Sequence, residues 1–269
     1  MSKMSKKFDI ITADPPWQFS DRLKMGKVKR GAESQYPTLN LQAIKDMPVE
    51  GVAKKDAVLV LWVPGSLLQE GLDVMSAWGF NQKQVHVWVK VKKSPLDSMR
   101  RSIPLPKISD IKENPVGLFK GLKLYINSVM SSFKLENVLA FGMGRLFRQT
   151  HEISLVGTRG NIYDKLKNKS QRSVHFGPVL KHSEKPEDIQ EMLEIMFPGT
   201  SKLELFARRK RDGWMCLGNE SGVSSGEDIR ESIKKLENIK EISSPGANST
   251  TYICNDQTVH KMWKDIPVN

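Results

Sequence analysis

Seven consecutive apolar residues, Ala57-Val-Leu-Val-Leu-Trp-Val63, constrain this chain more than any other stretch. A strand with one wet face alternates apolar and polar positions. An unbroken β-branched and aliphatic run instead fits a strand buried on both faces of a parallel sheet. Pro64-Gly65 ends the run. Ser66 and Gln69 then have capping-box spacing, opening a helix whose Leu68, Leu72, Met75 and Trp78 share one face, with Gly79 as its stop. Val85 to Val91 reads as the following strand. Phe8 to Ala13 reads as an earlier one, cut off where Pro15 and Pro16 cannot donate to a ladder. A short helix from Asn40 to Asp46 lies between. Strand, helix, strand, helix, strand is the order of an α/β layered domain with right-handed crossovers.

Residues 92–140 break that rhythm. They carry nine basic residues against four acidic and show helical character only from Leu118 to Phe133. The stretch reads as an insertion on the sheet, a place where ligands or partners bind, with structural filler as the equal alternative. Ile153 to Val156 resumes a strand. Glu187 to Met196 reads as a helix with Pro186 in its first turn and Pro198-Gly199 beyond its end. Lys202 to Phe206 and Trp214 to Leu217 are two more strands. After Glu220 the spacing predicts one amphipathic helix, Asp228 to Glu241, and an irregular end.

The 269 residues include 42 Lys+Arg against 30 Asp+Glu, a formal charge of +12, with 39% hydrophobic and 27% charged residues. That balance excludes wholesale disorder and points to a polyanionic partner, nucleic acid first, against a merely soluble basic surface. Residues 22–30, 159–185 and 208–211 are the candidate backbone contacts, each weighed against a solvated face. No stretch reaches the ~18–20 apolar residues of a membrane span, and the start lacks the apolar segment of a signal peptide. The two cysteines, Cys216 and Cys254, exclude a disulfide framework and a cysteine-rich zinc module, so the expectation is a cytoplasmic protein without a bound metal.

The chemistry concentrates in Asp14-Pro15-Pro16-Trp17, which the preceding strand places at its carboxyl end, where open α/β sheets bind ligands. A carboxylate, a carbonyl whose direction the Pro-Pro pair fixes, and an aromatic plane together suit an exocyclic amine on a planar base. The bland alternative is a Pro-Pro turn that packs a core tryptophan. Glu204 on one strand end and Asn219-Glu220 on the next fit the ribose hydroxyls and amine of a nucleoside cofactor. No phosphate loop accompanies them: G-x-x-x-x-G-K-[ST] is absent, and Gly142-Met-Gly144 meets Phe147 where G-x-G-x-x-G needs glycine. His151-Glu152 lacks a second zinc-site histidine, and His182 reads as a packed or surface residue.

An ordered series then carries a resemblance. Asp14-Pro-Pro-Trp17 is followed by Tyr36-Pro-Thr-Leu39, Leu61-Trp-Val63, Trp78-Gly-Phe80, Val87-Trp-Val-Lys90 and Arg148 to Glu152. After these come Gly157-Thr-Arg-Gly160, His182-Ser-Glu-Lys-Pro186, Glu204-Leu-Phe-Ala-Arg208, Gly213-Trp214 and Gly218-Asn-Glu220. The series resembles the MT-A70 family of S-adenosylmethionine-dependent adenine-N6 methyltransferases, in its compact prokaryotic or phage DNA form. The resemblance implies a permuted Rossmann-like class I methyltransferase sheet over 1–220, with helices on both faces; the insertion at 92–140, longer than the family's usual connection, and the extension at 221–269 with its one amphipathic helix depart from the family pattern. It implies Asp14, Pro15, Pro16 and Trp17 as catalytic residues, with Trp17 and Tyr36 stacking on a flipped base. It implies Asp14, Lys185, Glu204, Phe206, Arg208, Asn219 and Glu220 around the cofactor. Tyr36, Lys27, Lys29, Arg30, Arg145, Arg148 and Glu152 would contact substrate. The implied partner is DNA, with RNA as the alternative, and the chain would pair with a second copy or a related subunit; a catalytically silent subunit is the competing class.

Overall fold

A strand that is apolar at every position has to be covered on both faces, and the computed structural model shows how. It describes residues 7–19, 38–93, 136, 138–142, 146–180, 184–218, 228–237, 240–242 and 251–253. β1 (Phe8–Ala13) is buried at all six positions, and β2 (Ala53–Val63) from Ala57 onward. Parallel pairing sets β1 against β2 on one side and β6 (Lys202–Leu205) on the other, and β6 is parallel to β7 (Trp214–Leu217). β4 (His151–Arg159) runs antiparallel to β2, from Val63↔Ile153 to Ala57↔Arg159. β3 (Asn81–Val91) pairs in parallel with β5 (Val174–Pro178). The sheet order is β5-β3-β4-β2-β1-β6-β7, so the sheet is mixed. The chain divides into two compact units: Met1–His86 with Ile153–Ser173 and Glu187–Asn269, and Val87–Glu152 with Val174–Pro186.

In the first unit, α1 (Leu41–Lys45) starts where expected, because the Asn40 side chain accepts from the Ala43 N–H at 2.8 Å. α2 (Val49–Val52) follows. α3 (Leu68–Ala77) is preceded by a 3-10 turn, Gly65–Leu67, and no side chain caps it. Ser66 therefore lies in the tighter turn and not at a cap, a correction to the capping-box expectation. Gly79 does stop the helix, with φ of +80° that a β-carbon would oppose. α4 (Asp188–Met196) has Glu187 as its cap residue, so Pro186 precedes the helix and is not in its first turn.

The core of this unit gathers Phe8, Ile11, Leu59, Leu61, Trp78 and Leu203. Ile229, Ile233 and Leu236 of α5 (Ile229–Glu237) belong to the same cluster. α5 is shorter than expected: the chain beyond it forms β8 (Lys240–Ile242), paired antiparallel with β9 (Thr251–Ile253) where the sequence suggested an irregular end. Asp9 ties strand starts together from within. Its carboxylate meets Lys165 at 2.5 Å, Lys54 at 2.8 Å and the Ser201 hydroxyl at 2.7 Å.

In the second unit, Trp88 is buried and donates its indole N–H to the Gly177 carbonyl at 3.2 Å. Residues 138–142 run antiparallel to the end of β3, bridging Val91 with Leu139. The expected helix at 118–133 lies outside the described residues. No helix among the described residues is long and apolar enough to cross a membrane.

Candidate active site

Asp14 is the first residue past β1, and Pro15 and Pro16 prevent the strand from continuing. Asp14 and Pro16 are half-buried, and Pro15 is buried. The Trp17 N–H donates to the Pro15 carbonyl at 2.8 Å, closing a three-residue turn. The Leu39 N–H donates to the Pro16 carbonyl, also at 2.8 Å, while the Gln18 N–H donates to Leu39 at 3.2 Å. The corner is therefore stitched to the residues leading into α1.

Trp17 corrects the stacking expectation. Its indole is 6% exposed and belongs to the core cluster, and its N–H donates to the Trp62 carbonyl on β2 at 2.9 Å. A ring that buries its apolar body and satisfies its single donor has no face left for a base. Trp17 works as a peg, and the bland alternative for this residue holds. The tetrapeptide leaves a carboxylate, the second lone pair of the Pro15 carbonyl and a proline rim. Tyr36, Lys27, Lys29, Arg30 and Arg145 lie outside the described residues.

Beside this corner is the end of β6. The register pairs Thr12 with Glu204 and Ala13 with Leu205, so Asp14 and Phe206 leave the sheet as neighbours on one edge. Phe206 has φ of 63°, a left-handed conformation that costs a non-glycine residue about 1–3 kcal/mol and is characteristic of functional turns. The next N–H, of Ala207, donates to the Leu217 carbonyl at 2.9 Å. A β-carbon on Gly218 would fall 2.0 Å from the Ala207 oxygen, so this crossing of β6 and β7 requires glycine. Glu204 is half-buried and accepts from the Gln190 amide at 3.2 Å. Burial, opposed by that hydrogen bond and by Arg209 and Arg211, pushes its carboxyl up to about 7. Arg208 is half-buried beyond this turn. Asn219 and Glu220 lie outside the described residues.

In the second unit, Glu152 joins two ammonium groups: Lys90 at 2.6 Å on one carboxylate oxygen and Lys185 at 3.2 Å on the other. Burial raises the Glu152 pKa, but Lys185 and Lys90 outweigh it and hold the carboxyl below its ordinary range. Glu152, expected among the substrate contacts, thus stands as the group that orients Lys185. Arg148 is exposed, its guanidinium carbon 5.9 Å from the Phe141 ring centroid. Among the described residues, no His, Cys, Asp and Glu cluster could hold a metal ion.

The family model of MT-A70 matches residues 8–102 and 130–220 of this chain. The chain belongs to the MT-A70 family. A putative N(6)-adenosine-methyltransferase MT-A70-like protein of Medicago truncatula is 26% identical over 221 residues, covering 81% of this chain and 27% of that protein. A probable N(6)-adenosine-methyltransferase MT-A70-like protein of Oryza sativa is 27% identical over 217 residues, 79% of this chain and 23% of that protein. The type II methyltransferase M.MunI of a Mycoplasma species is 24% identical over 233 residues, 80% of this chain and 78% of that protein. The chain spans about a quarter of the length of the two plant relatives.

The mixed sheet is the Rossmann-like class I methyltransferase kind expected of an MT-A70 chain, with its Asp-Pro-Pro-Trp strand first and the Glu204 strand late. MT-A70 methyltransferases use S-adenosylmethionine. The residues at the Glu204 edge fit such a group. Two buried oxygens lack a hydrogen-bond partner among the described residues, Thr12 Oγ1 and Gln190 Oε1. One lies on the residue paired with Glu204 and the other on the side chain that donates to it. A ribose carries hydroxyl donors for such unmet acceptors.

Sequence reasoning missed Gln190 and Lys90 as site residues. Gln190 sits between the acidic positions Asp188 and Glu191, yet it is buried. It also placed Arg209 and Arg211 among nucleic-acid contacts. Arg211 instead forks onto Glu194 at 2.7 and 3.0 Å and reaches Glu187 at 2.7 Å, and Arg209 pairs with Glu187. Arg159 likewise faces Glu50, at 3.6 Å, and Lys165 faces Asp9. Acids on α2, α4 and β1 claim these cations.

Proposed function

We propose that the protein transfers a methyl group from S-adenosylmethionine to N6 of adenine in DNA, by direct in-line transfer onto a base turned out of the duplex. The carrying observation is the half-buried Asp14 carboxylate just past β1, side by side with the Phe206 turn that follows Glu204 on β6. When bound, the cofactor supplies an electrophilic sulfonium methyl. Asp14 and the open lone pair of the Pro15 carbonyl accept the two N6 hydrogens, which aims the weak nitrogen lone pair and favours positive charge developing there. The surplus proton then leaves to solvent, and no covalent enzyme intermediate forms. Glu204, with Gln190 beside it, would take the ribose hydroxyls, and within the second unit Glu152 holds Lys185. Trp17 contributes by anchoring the corner.

DNA is favoured because the similarity to M.MunI runs along most of both chains, while 42 cations against 30 anions favour a nucleic acid of either kind. The N(6)-adenosine-methyltransferase names of the plant relatives favour a second reading, methylation of RNA. The discriminating experiment supplies tritiated S-adenosylmethionine with unmethylated genomic DNA or with RNA, then maps methylated adenines. DNA labelling at one short sequence is expected, and Asp14→Ala should lower turnover by about 100- to 1,000-fold. Labelling of RNA alone would remove the DNA reading. An Asp14→Ala rate near wild type would remove the site. Failure of the protein to bind S-adenosylmethionine in a calorimetric titration would make it a silent subunit. The reading includes pairing with a second copy or a related subunit, which light scattering checks.

A further inference from the structure

Within the second unit, one carboxylate is divided between two cations, and the two are not held alike. Glu152 Oε1 takes the Lys90 ammonium at 2.6 Å, and Glu152 Oε2 takes the Lys185 ammonium at 3.2 Å. The side chains are largely covered: Lys90 is 17% exposed, Lys185 16% and Glu152 27%. Burial would raise the Glu152 carboxyl, but Lys185 and Lys90 reverse this, so it stays ionised at neutral pH. Exposed ion pairs exchange partners at little cost, whereas a covered pair cannot part without stranding a charge.

The two lysines are mounted differently. Lys90 is fixed at both ends. Its N–H donates to the Thr150 carbonyl at 2.8 Å, its carbonyl accepts from the Ala140 N–H at 2.9 Å, and its ammonium lies 5.3 Å from the Trp88 ring centroid. Trp88 is itself buried and donates to Gly177. Lys185 stands on the segment between β5 and α4, outside helix and strand. The shorter contact therefore goes to the cation that the sheet immobilises.

We propose that Lys90 is a positioning residue that lets Lys185 change partners: it keeps Glu152 neutralised while the Lys185 ammonium turns to an oxyanion, carboxylate or phosphate, of a bound ligand. A covered carboxylate that gives up its last cation keeps an uncompensated charge, and that penalty holds such pairs shut. With Lys90 on the other oxygen the penalty is not incurred, and a ligand anion can draw Lys185 across. Without Lys90 the whole carboxylate turns to Lys185 and competes with the ligand. The exchange rests on the methyl-transfer reading for its anion. S-adenosylmethionine carries a carboxylate, and a nucleic acid carries a phosphate at every link.

Calorimetric titration with two pairs of probes supplies the test. One pair is S-adenosylhomocysteine and its decarboxylated form; the other is a short oligonucleotide and the same sequence with uncharged methylphosphonate links. Thermal unfolding checks that each variant folds. Lys90→Met should lower the preference for the charged member of a pair about tenfold, and Lys90→Arg should keep it. Lys90→Met/Glu152→Gln should restore it, because no carboxylate remains to claim Lys185. A response in the first pair identifies the anion as the carboxylate, and in the second as the phosphate. Preferences unmoved by Lys90→Met in both pairs overturn the proposal. So does a double variant weaker than the single one, which makes Lys90 a packing element alone. A wild type that fails to bind S-adenosylhomocysteine, while the oligonucleotide pair responds as expected, overturns the methyl-transfer reading and leaves the exchange standing. Binding of neither overturns both.

Discussion

Asp9 and Glu204 sit on adjacent parallel strands, and their surroundings push them opposite ways. Burial alone would raise Asp9, but Lys165, Lys54 and Ser201 more than reverse this and hold it far below its ordinary 3.8. Its stabilising contribution is therefore complete above about pH 4 and is lost as pH falls further. Asp9→Asn should cost about 2 kcal/mol at pH 7 and should flatten the fall in melting temperature between pH 5 and 3, read by thermal unfolding of both proteins. Glu204 behaves in the reverse sense. Its folded pKa is raised, to about 7, so its proton-linked contribution is present below pH 4.5 and disappears as pH rises through 7. Hydroxyl donors want the ionised form, so the affinity for S-adenosylmethionine should rise about tenfold between pH 6 and 8. Calorimetry would show it, and Glu204→Gln should abolish the slope. Asp14, Lys185 and Glu204 could be named as candidates because each stands in a short sequence motif. Gln190 and Lys90 could not, because their partners come from distant segments. Trp17 was legible only as a choice between two roles, since burial is not a property of four residues.

At the level of elements, the unbroken run at Ala57 announced a doubly covered strand, and that strand is central. Direction was not legible: nothing in Ile153-Ser-Leu-Val156 states that β4 runs against β2, because a parallel and an antiparallel neighbour bury the same side chains. Ser66 misled for a related reason, since cap chemistry is available to a 3-10 turn as well. α5 was visible in its apolar spacing, but its destination was not. Ile233 is fully buried in the core it shares with β1 and β2. Ile233→Ala should therefore destabilise the protein by about 2–4 kcal/mol in denaturant unfolding. A free-standing tail would leave the midpoint unmoved.

For the whole molecule, charge was the most legible quantity and the least informative about position. Lys54, Lys165, Lys90, Lys185, Arg209 and Arg211 are held by the chain's own carboxylates, so the total of 42 Lys+Arg overstates the cations that can neutralise phosphates. Affinity for DNA should still fall with salt, by roughly a hundredfold between 50 and 200 mM, reflecting a handful of phosphate contacts. Binding isotherms across that range would measure the slope, and a flat response would contradict a nucleic-acid substrate.

The indole peg beneath the Asp-Pro-Pro corner also bears on how such an enzyme can diversify. A residue driven into the middle of the fold ties the reactive corner to the integrity of everything around it, so drift there is punished twice, in turnover and in folding. On the proposed reading, novelty in which nucleic-acid sequence is recognised must then accumulate in peripheral segments, leaving an inherited corner that successive descendants reuse without alteration.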